Sequence, residues 1–269
     1  MAITTLNGVI SNLQQVQQIS KGSSPTPVAG TPTSLWGIGG QPAAGSFNTG
    51  IAGATYVAPV TGQIPHVDPP GGSNAYLARI QTAWNAGSGT ILLCDRLWDG
   101  RPAINDVTNQ TVNSVAWPAR DVAGSTNGDG ILIGIEVAAT VSATAAVLSS
   151  YTYTNQSGTA SHTGLFLDTP TTSTAANRFF RLTLQTGDTG VRSIQNIQFS
   201  TAWTSGSINM VAYRVLAALE SPVLGFSSAV DAITAGFPQI FNGTVPFLIY
   251  VPSGATIALV AGHYLETAG

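Results

Sequence analysis

The sequence predicts a mainly β protein: an antiparallel, jelly-roll-like β-sandwich preceded by a short N-terminal helix and a long Pro/Gly-rich extended arm. Three observations predict it. From Thr90 onward the chain is a succession of short apolar or alternating runs separated by Gly, Asn, Asp and Pro, the pattern of successive strands and turns. The stretch 22–72 holds eight of the fifteen prolines and eleven of the thirty glycines, a composition that sustains neither a helix nor a central strand. Before it, apolar residues recur at helical spacing. The expected division is therefore a helix over 1–21, an arm over 22–72 and a sandwich over 73–269.

Over residues 4–21, Leu6, Val9, Ile10, Leu13, Val16 and Ile19 recur at spacings of three and four with Gln and Asn between them, an amphipathic stripe. Thr4 or Thr5 can cap its start and Gly22 its end. Gly8 weakens such a helix by about 1 kcal/mol relative to Ala, so it needs something to pack against. Leu6, Val9, Leu13 and Val16 fit an a/d seam for two heptads, which suits self-association or docking on a neighbour.

The arm carries large apolar side chains at scattered positions, Trp36, Phe47 and Tyr56 among them, and Asp68 is its only charged residue. Linkers are poor in such groups, and a loop of some fifty residues inside one domain is improbable. The expectation is an ordered arm laid along a surface, that of another subunit included, with Trp36, Phe47 and Tyr56 as anchors. A partly disordered linker and a small loop-rich domain are the alternatives.

Within 73–269, a short leading helix is expected over AYLARIQTAWNAG, capped by Ser73 or Asn74. Asn155 to Gly158 reads as the turn of a hairpin, and QTGDTG as another turn between strands. A second helical interruption is expected over AVDAITAG, capped by Ser227 or Ser228 and stopped by Gly236 and Pro238.

Charged residues make up 8% of the chain and the net charge is -3, against about 25% charged in an ordinary soluble protein. So little repulsion favours association, and nine scattered Lys and Arg give no footing for nucleic acid. Cys94 stands alone in TILLCDRLW, which excludes an intramolecular disulfide and suggests a buried thiol. No window approaches the roughly twenty apolar residues of a membrane span, and no secretory signal is evident, so folding in a reducing cytoplasm is expected.

Chemistry is sparse. His66, His162 and His263 sit in no catalytic or metal-ligand motif. Asp95 and Asp99 alternate with Arg96 and Arg101, where ion pairing is the ordinary reading and a glycan-cleaving pair the sharper one. Ser125, Asn127 and Asp129, with Glu136 beyond, echo a calcium loop, but Ser replaces the first Asp and a strand follows, so a polar turn is expected. No catalytic residue, cofactor or metal site is expected, and the chain is read as not an enzyme.

Three phrases, TVNSVAWPARDVAGSTNGDGILIGIEV, YTYTNQSGTASHTG and GDTGVRSIQNIQFSTAWTSG, together resemble virion structural proteins of tailed bacteriophages, over residues 85 to 269. The resemblance implies a β-rich, oligomeric decoration or cement protein of the capsid, assembled in the host cytoplasm, with copies of itself and the major capsid protein or another virion subunit as partners. Three-fold self-assembly belongs to the same implication. A tail- or fibre-associated receptor-binding module, using Trp98, Trp117 or Trp203 on a sugar, is the alternative.

Overall fold

The computed structural model describes residues 5–22, 25–69, 71, 74–85, 87–142, 148–165, 174–221, 226–236, 238–256 and 259–269. Thr4 and Ser73, both considered above as caps, lie outside them. In chain order the elements are α1 (Leu6–Ser11), β1 (Gln17–Gly22), β2 (Thr33–Ser34), β3 (Gly40–Gln41), β4 (Ala54–Thr55), β5 (Ala75–Trp84), β6 (Gly89–Gly100), β7 (Gln110–Thr111) and β8 (Ile131–Ala139). They continue with β9 (Leu148–Asn155), β10 (His162–Gly164), β11 (Phe179–Arg181), β12 (Val191–Phe199), β13 (Ser207–Ser221), β14 (Ser227–Asp231), β15 (Gln239–Ile240), β16 (Pro246–Pro252) and β17 (Leu259–Ala268). The protein is mainly β, and its strands pair antiparallel, as the sequence predicts.

The chain forms two compact units. Unit 1 takes residues 1–45, 57–95 and 215–269, and unit 2 takes 46–56 and 96–214. The expected division into helix, arm and one sandwich is thus replaced by two units built from interleaved segments. Strand β6 changes unit between Asp95 and Arg96, and β13 between Arg214 and Val215.

In unit 1 a six-stranded sheet has the order β14-β5-β17-β1-β3, with β15 also on β5. Strand β16 pairs with the first half of β6, from Pro246 opposite Asp95 to Pro252 opposite Gly89, and with β2. The core combines Leu77, Ile80 and Trp84 of β5 with Ile91 and Leu93 of β6, Leu248 and Tyr250 of β16, and Val260 and Tyr264 of β17. Trp84 packs on Tyr250 with ring centroids 4.4 Å apart.

Unit 2 has a four-stranded sheet, β10-β9-β12-β7, and a second group in which β8 lies between β11 and residues 207–214 of β13. Its core joins Tyr151 and Tyr153 of β9 and Ile194, Ile197 and Phe199 of β12 to Ile131, Ile133, Ile135 and Val137 of β8. Both turns expected here form. Asn155 accepts from the backbone N–H of Ser157 and Thr159 across the β9–β10 hairpin, and Asp188 N–H donates to Gln185 O in QTGDTG.

Three helical expectations are corrected. The N-terminal helix is real, with Thr5 Oγ1 accepting from Gly8 N–H at 3.0 Å as its cap, but it ends at Ser11 instead of running to residue 21. Residues 17–22 instead form β1, which pairs with β17 from Gln17 opposite Tyr264 to Gly22 opposite Leu259. A helix weakened by Gly8 loses those residues to a ready strand edge, because pairing there satisfies the backbone and buries Ile19.

The leading helix over AYLARIQTAW is strand β5. Its register against β17 slips between Arg79 opposite Leu265 and Leu77 opposite Glu266, leaving Ala78 as an extra residue. That bulge places Leu77 and Ile80 on the same face although they are three apart, so a strand carries helix-like spacing. AVDAITAG likewise begins in β14 and closes in a single turn, where Asp231 accepts from Thr234 and Gly236 ends the element at φ +73°.

The described residues of 22–72 are irregular as expected, with the two-residue strands β2, β3 and β4 after β1, yet several of their large apolar side chains are buried within the chain itself. Leu35, Trp36, Ile38 and Ile64 are buried in unit 1, and Tyr56 in unit 2. The buried Lys21 ammonium fastens the first part, donating to the carbonyls of Leu35 (2.8 Å), Ile38 (3.0 Å) and Ala43 (3.3 Å). Trp36 packs edge-on to Phe247 at 6.2 Å, and a Cβ on Gly45 would come within 2.2 Å of its ring. The surface along which these side chains lie is therefore that of their own chain, not that of another subunit.

Candidate interaction surface

Helix α1 buries none of its residues. Leu6 is 73% exposed, Ile10 58%, Leu13 43% and Val16 52%, while Val9 is half-buried. The segment is nevertheless fixed in place. Thr267 Oγ1 donates to Val9 O at 2.9 Å, Ala268 N–H to Asn12 O at 3.1 Å, and Gln14 N–H to Glu266 O at 2.8 Å. Hydrogen bonds to their backbone thus hold residues 9–14 to the end of β17 while the apolar side chains stay in water, a presentation that costs apolar hydration and suits contact with a partner.

Of the other candidate anchors, Trp36 and Tyr56 are withdrawn, because both are buried inside the chain. Phe47 is half-buried and lies over the Arg96 guanidinium at 5.7 Å. No continuous a/d seam forms, since Leu13 and Val16 both lie beyond the end of the helix at Ser11. What remains open to a neighbour is Leu6, Leu13 and Val16, with Ile10, which the seam left out because it sits at neither a nor d.

The tryptophans of the sugar-binding alternative are core residues: Trp98, Trp117 and Trp203 are all at most 2% exposed. Trp98 packs at a tilt, 5.3 Å between centroids, on Trp117, whose indole N–H donates to Val191 O at 2.7 Å. None offers a face to a glycan.

Asp95 and Asp99 are both fully buried. Asp95 accepts from Val245 N–H at 2.9 Å. Asp99 pairs with Arg96 at 2.6 Å, and the same guanidinium meets Glu136 at 2.7 Å. Tyr56 hydroxyl donates to Asp99 at 3.2 Å, and Asn48 Nδ2 at 2.5 Å. Burial works against the Arg96 charge, but Glu136 and then Asp99 outweigh it and raise its pKa. This is a sealed ion cluster inside unit 2, in which ordinary ion pairing accounts for Asp99.

The calcium-like stretch is organised by Asp121, which lies before it. Asp121 Oδ1 accepts from the N–H of Ala123 and Ser125, and Oδ2 from Ser125 Oγ and the N–H of Gly128 and Asp129. Glu136 faces Arg96 instead, and the described residues hold no group of three metal-ligating side chains. Burial pushes the Asp121 carboxyl up, but these donors, Ser125 first, bring it below the usual aspartate range. Asp121→Ala is expected to cost about 2–4 kcal/mol, by orphaning several donors of a charged acceptor. Because the folded pKa is depressed, this stabilisation is present above an unfolded value near 3.9 and is lost as pH falls through the folded one. Thermal midpoints of wild type and variant should therefore differ at pH 7 and converge in acid.

Two histidines sit in carboxylate networks that the sequence did not reveal. In unit 2, His162 Nδ1 lies 2.7 Å from Asp188, which also accepts from Tyr153 hydroxyl and Asn155 Nδ2. In unit 1, His66 lies between Glu266 and Asp68. Cys94 is a buried free thiol, as expected, its pKa pushed up by burial and then by Asp95.

No protein-family model matches the chain, and no curated protein matches it. Among solved structures, the VP2 subviral particle of infectious bursal disease virus aligns at 8% identity, covering 95% of this chain and 81% of that one, with a TM-score of 0.17. A mutant VP2 of the same virus, from derived T=1 particles, aligns at 13% identity over 94% of this chain and 62% of that one, with a TM-score of 0.15. Likenesses at this level carry no argument about function.

Proposed function

We propose that the chain is a non-enzymatic structural component of a bacteriophage virion, a capsid decoration or cement subunit that binds neighbouring subunits through its N-terminal apolar segment. The observation that carries this reading is the uncovered row Leu6, Ile10, Leu13 and Val16 on a segment whose backbone is hydrogen-bonded in place. A chain with 8% charged residues, several of them buried, supports it, since little repulsion opposes close packing of copies. So does the resemblance of residues 85–269 to tailed-phage virion proteins.

The energetics are adequate for a multivalent subunit. Covering four partly exposed aliphatic side chains yields on the order of 3–6 kcal/mol gross at about 25 cal/mol per Å². That is weak for one contact but sufficient when several are made at once on a repeating shell.

The test combines Leu6→Gln, Ile10→Gln and Leu13→Gln. The expected result is an unchanged thermal midpoint, because no core residue is touched, together with loss of co-sedimentation with particles lacking this chain. Undiminished binding by the folded variant would overturn the reading.

A further inference from the structure

His66 has a fully buried side chain with a carboxylate at each ring nitrogen. Nδ1 lies 2.9 Å from both Glu266 oxygens, and Nε2 lies 2.9 Å from Asp68 Oδ1. Ionised carboxylates only accept, so both nitrogens satisfy this geometry only when both carry protons, in the imidazolium. A neutral ring would set a lone pair against an anion, at either the buried Glu266 or the half-exposed Asp68.

We infer that residues 65–68 form a proton-held strap on unit 1, engaged while His66 is an imidazolium and released as it deprotonates. The strap leaves the core at Ile64, whose N–H donates to Pro246 O at 2.8 Å. Beyond His66 it is held by Asp68, which accepts from Gly243 N–H at 2.7 Å. The side chains of Pro65 and Val67 border a small cleft with Gln14, Gln17, Tyr264 and Glu266.

The groups facing the imidazolium are Asp68 on the strap and Glu266 on β17, and Tyr264 hydroxyl donates to Glu266 from the same strand. Two anions therefore face one cation. Burial disfavours the charged ring, but Glu266 and then Asp68 outweigh it and raise the His66 pKa. A raised folded pKa means that the clasp is fully engaged below an unfolded value near 6.5 and is lost as pH rises through the folded one. Glu266 also accepts Gln14 N–H through its backbone, so the strap and the exposed N-terminal segment share one anchor residue.

The experiment is NMR titration of the His66 ring in the full chain, assigned by through-bond correlation to its own backbone, with hydrogen exchange of the Ile64, His66, Val67 and Asp68 amides followed over the same pH range. The expected result is a midpoint above 6.5 and, across it, at least a tenfold rise in exchange beyond intrinsic base catalysis. His66→Gln should abolish that step, and Glu266→Gln should lower the ring's midpoint. A His66 midpoint at or below 6.5 overturns the strap, as does exchange that tracks the intrinsic rate throughout. The wild-type titration decides even if a variant fails to fold.

Discussion

Arg96→Met should destabilise the protein by about 3–5 kcal/mol, because it leaves Asp99 and Glu136 as buried carboxylates without their counter-charge. The guanidinium bridges them at 2.6 and 2.7 Å and lies over the rings of Phe47 and Tyr56, 5.7 and 5.1 Å from their centroids. Methionine keeps much of the volume and none of the charge, so the loss reports the orphaned anions more than a cavity. A triple variant that adds Asp99→Asn and Glu136→Gln should recover part of the loss, since neutral amides are cheaper to bury than anions. Urea unfolding of the three proteins checks this. A cost under 1 kcal/mol for the single variant would mean that the cluster is open to water.

Trp36→Ala should cost a similar amount, about 3–5 kcal/mol, and lower the thermal midpoint by on the order of 10 °C. Trp36 is fully buried, with Phe247 in a T-shaped contact and Gly45 packed close to its ring. This separates an integral Pro/Gly segment from an arm kept for a neighbour. For the arm, the isolated chain would melt unchanged and only assembly would suffer.

Much of the β architecture was legible because alternation and turn chemistry are local. NQSG and QTGDTG form the turns their residues require, and β8, β12, β13, β16 and β17 fall on runs visible in the sequence. The misreadings have a common cause in strand pairing. A bulge at Ala78 gave β5 the spacing of a helix, and the free edge of β17 drew residues 17–22 out of one. Neither is visible without knowing which strand lies alongside.

The fate of residues 22–72 was hidden for a different reason. Their apolar side chains were correctly read as needing burial, but sequence cannot say whose surface buries them. One signal was available: Lys21 is the only lysine in the chain, and it immediately precedes this stretch. Its three carbonyl partners lie between Leu35 and Ala43. At the candidate surface, Leu6, Leu13 and Val16 were legible from their spacing, whereas Trp36 and Tyr56 failed because size alone does not mark an anchor as exposed.

The most direct measurement is site-specific photo-crosslinking in the assembled particle, with the photoreactive group placed at Leu6 in one preparation and at Tyr56 in another. Crosslinks from Leu6 to other chains, with those from Tyr56 confined to their own, are the result expected. Crosslinks between chains from Tyr56, with none from Leu6, would contradict the account.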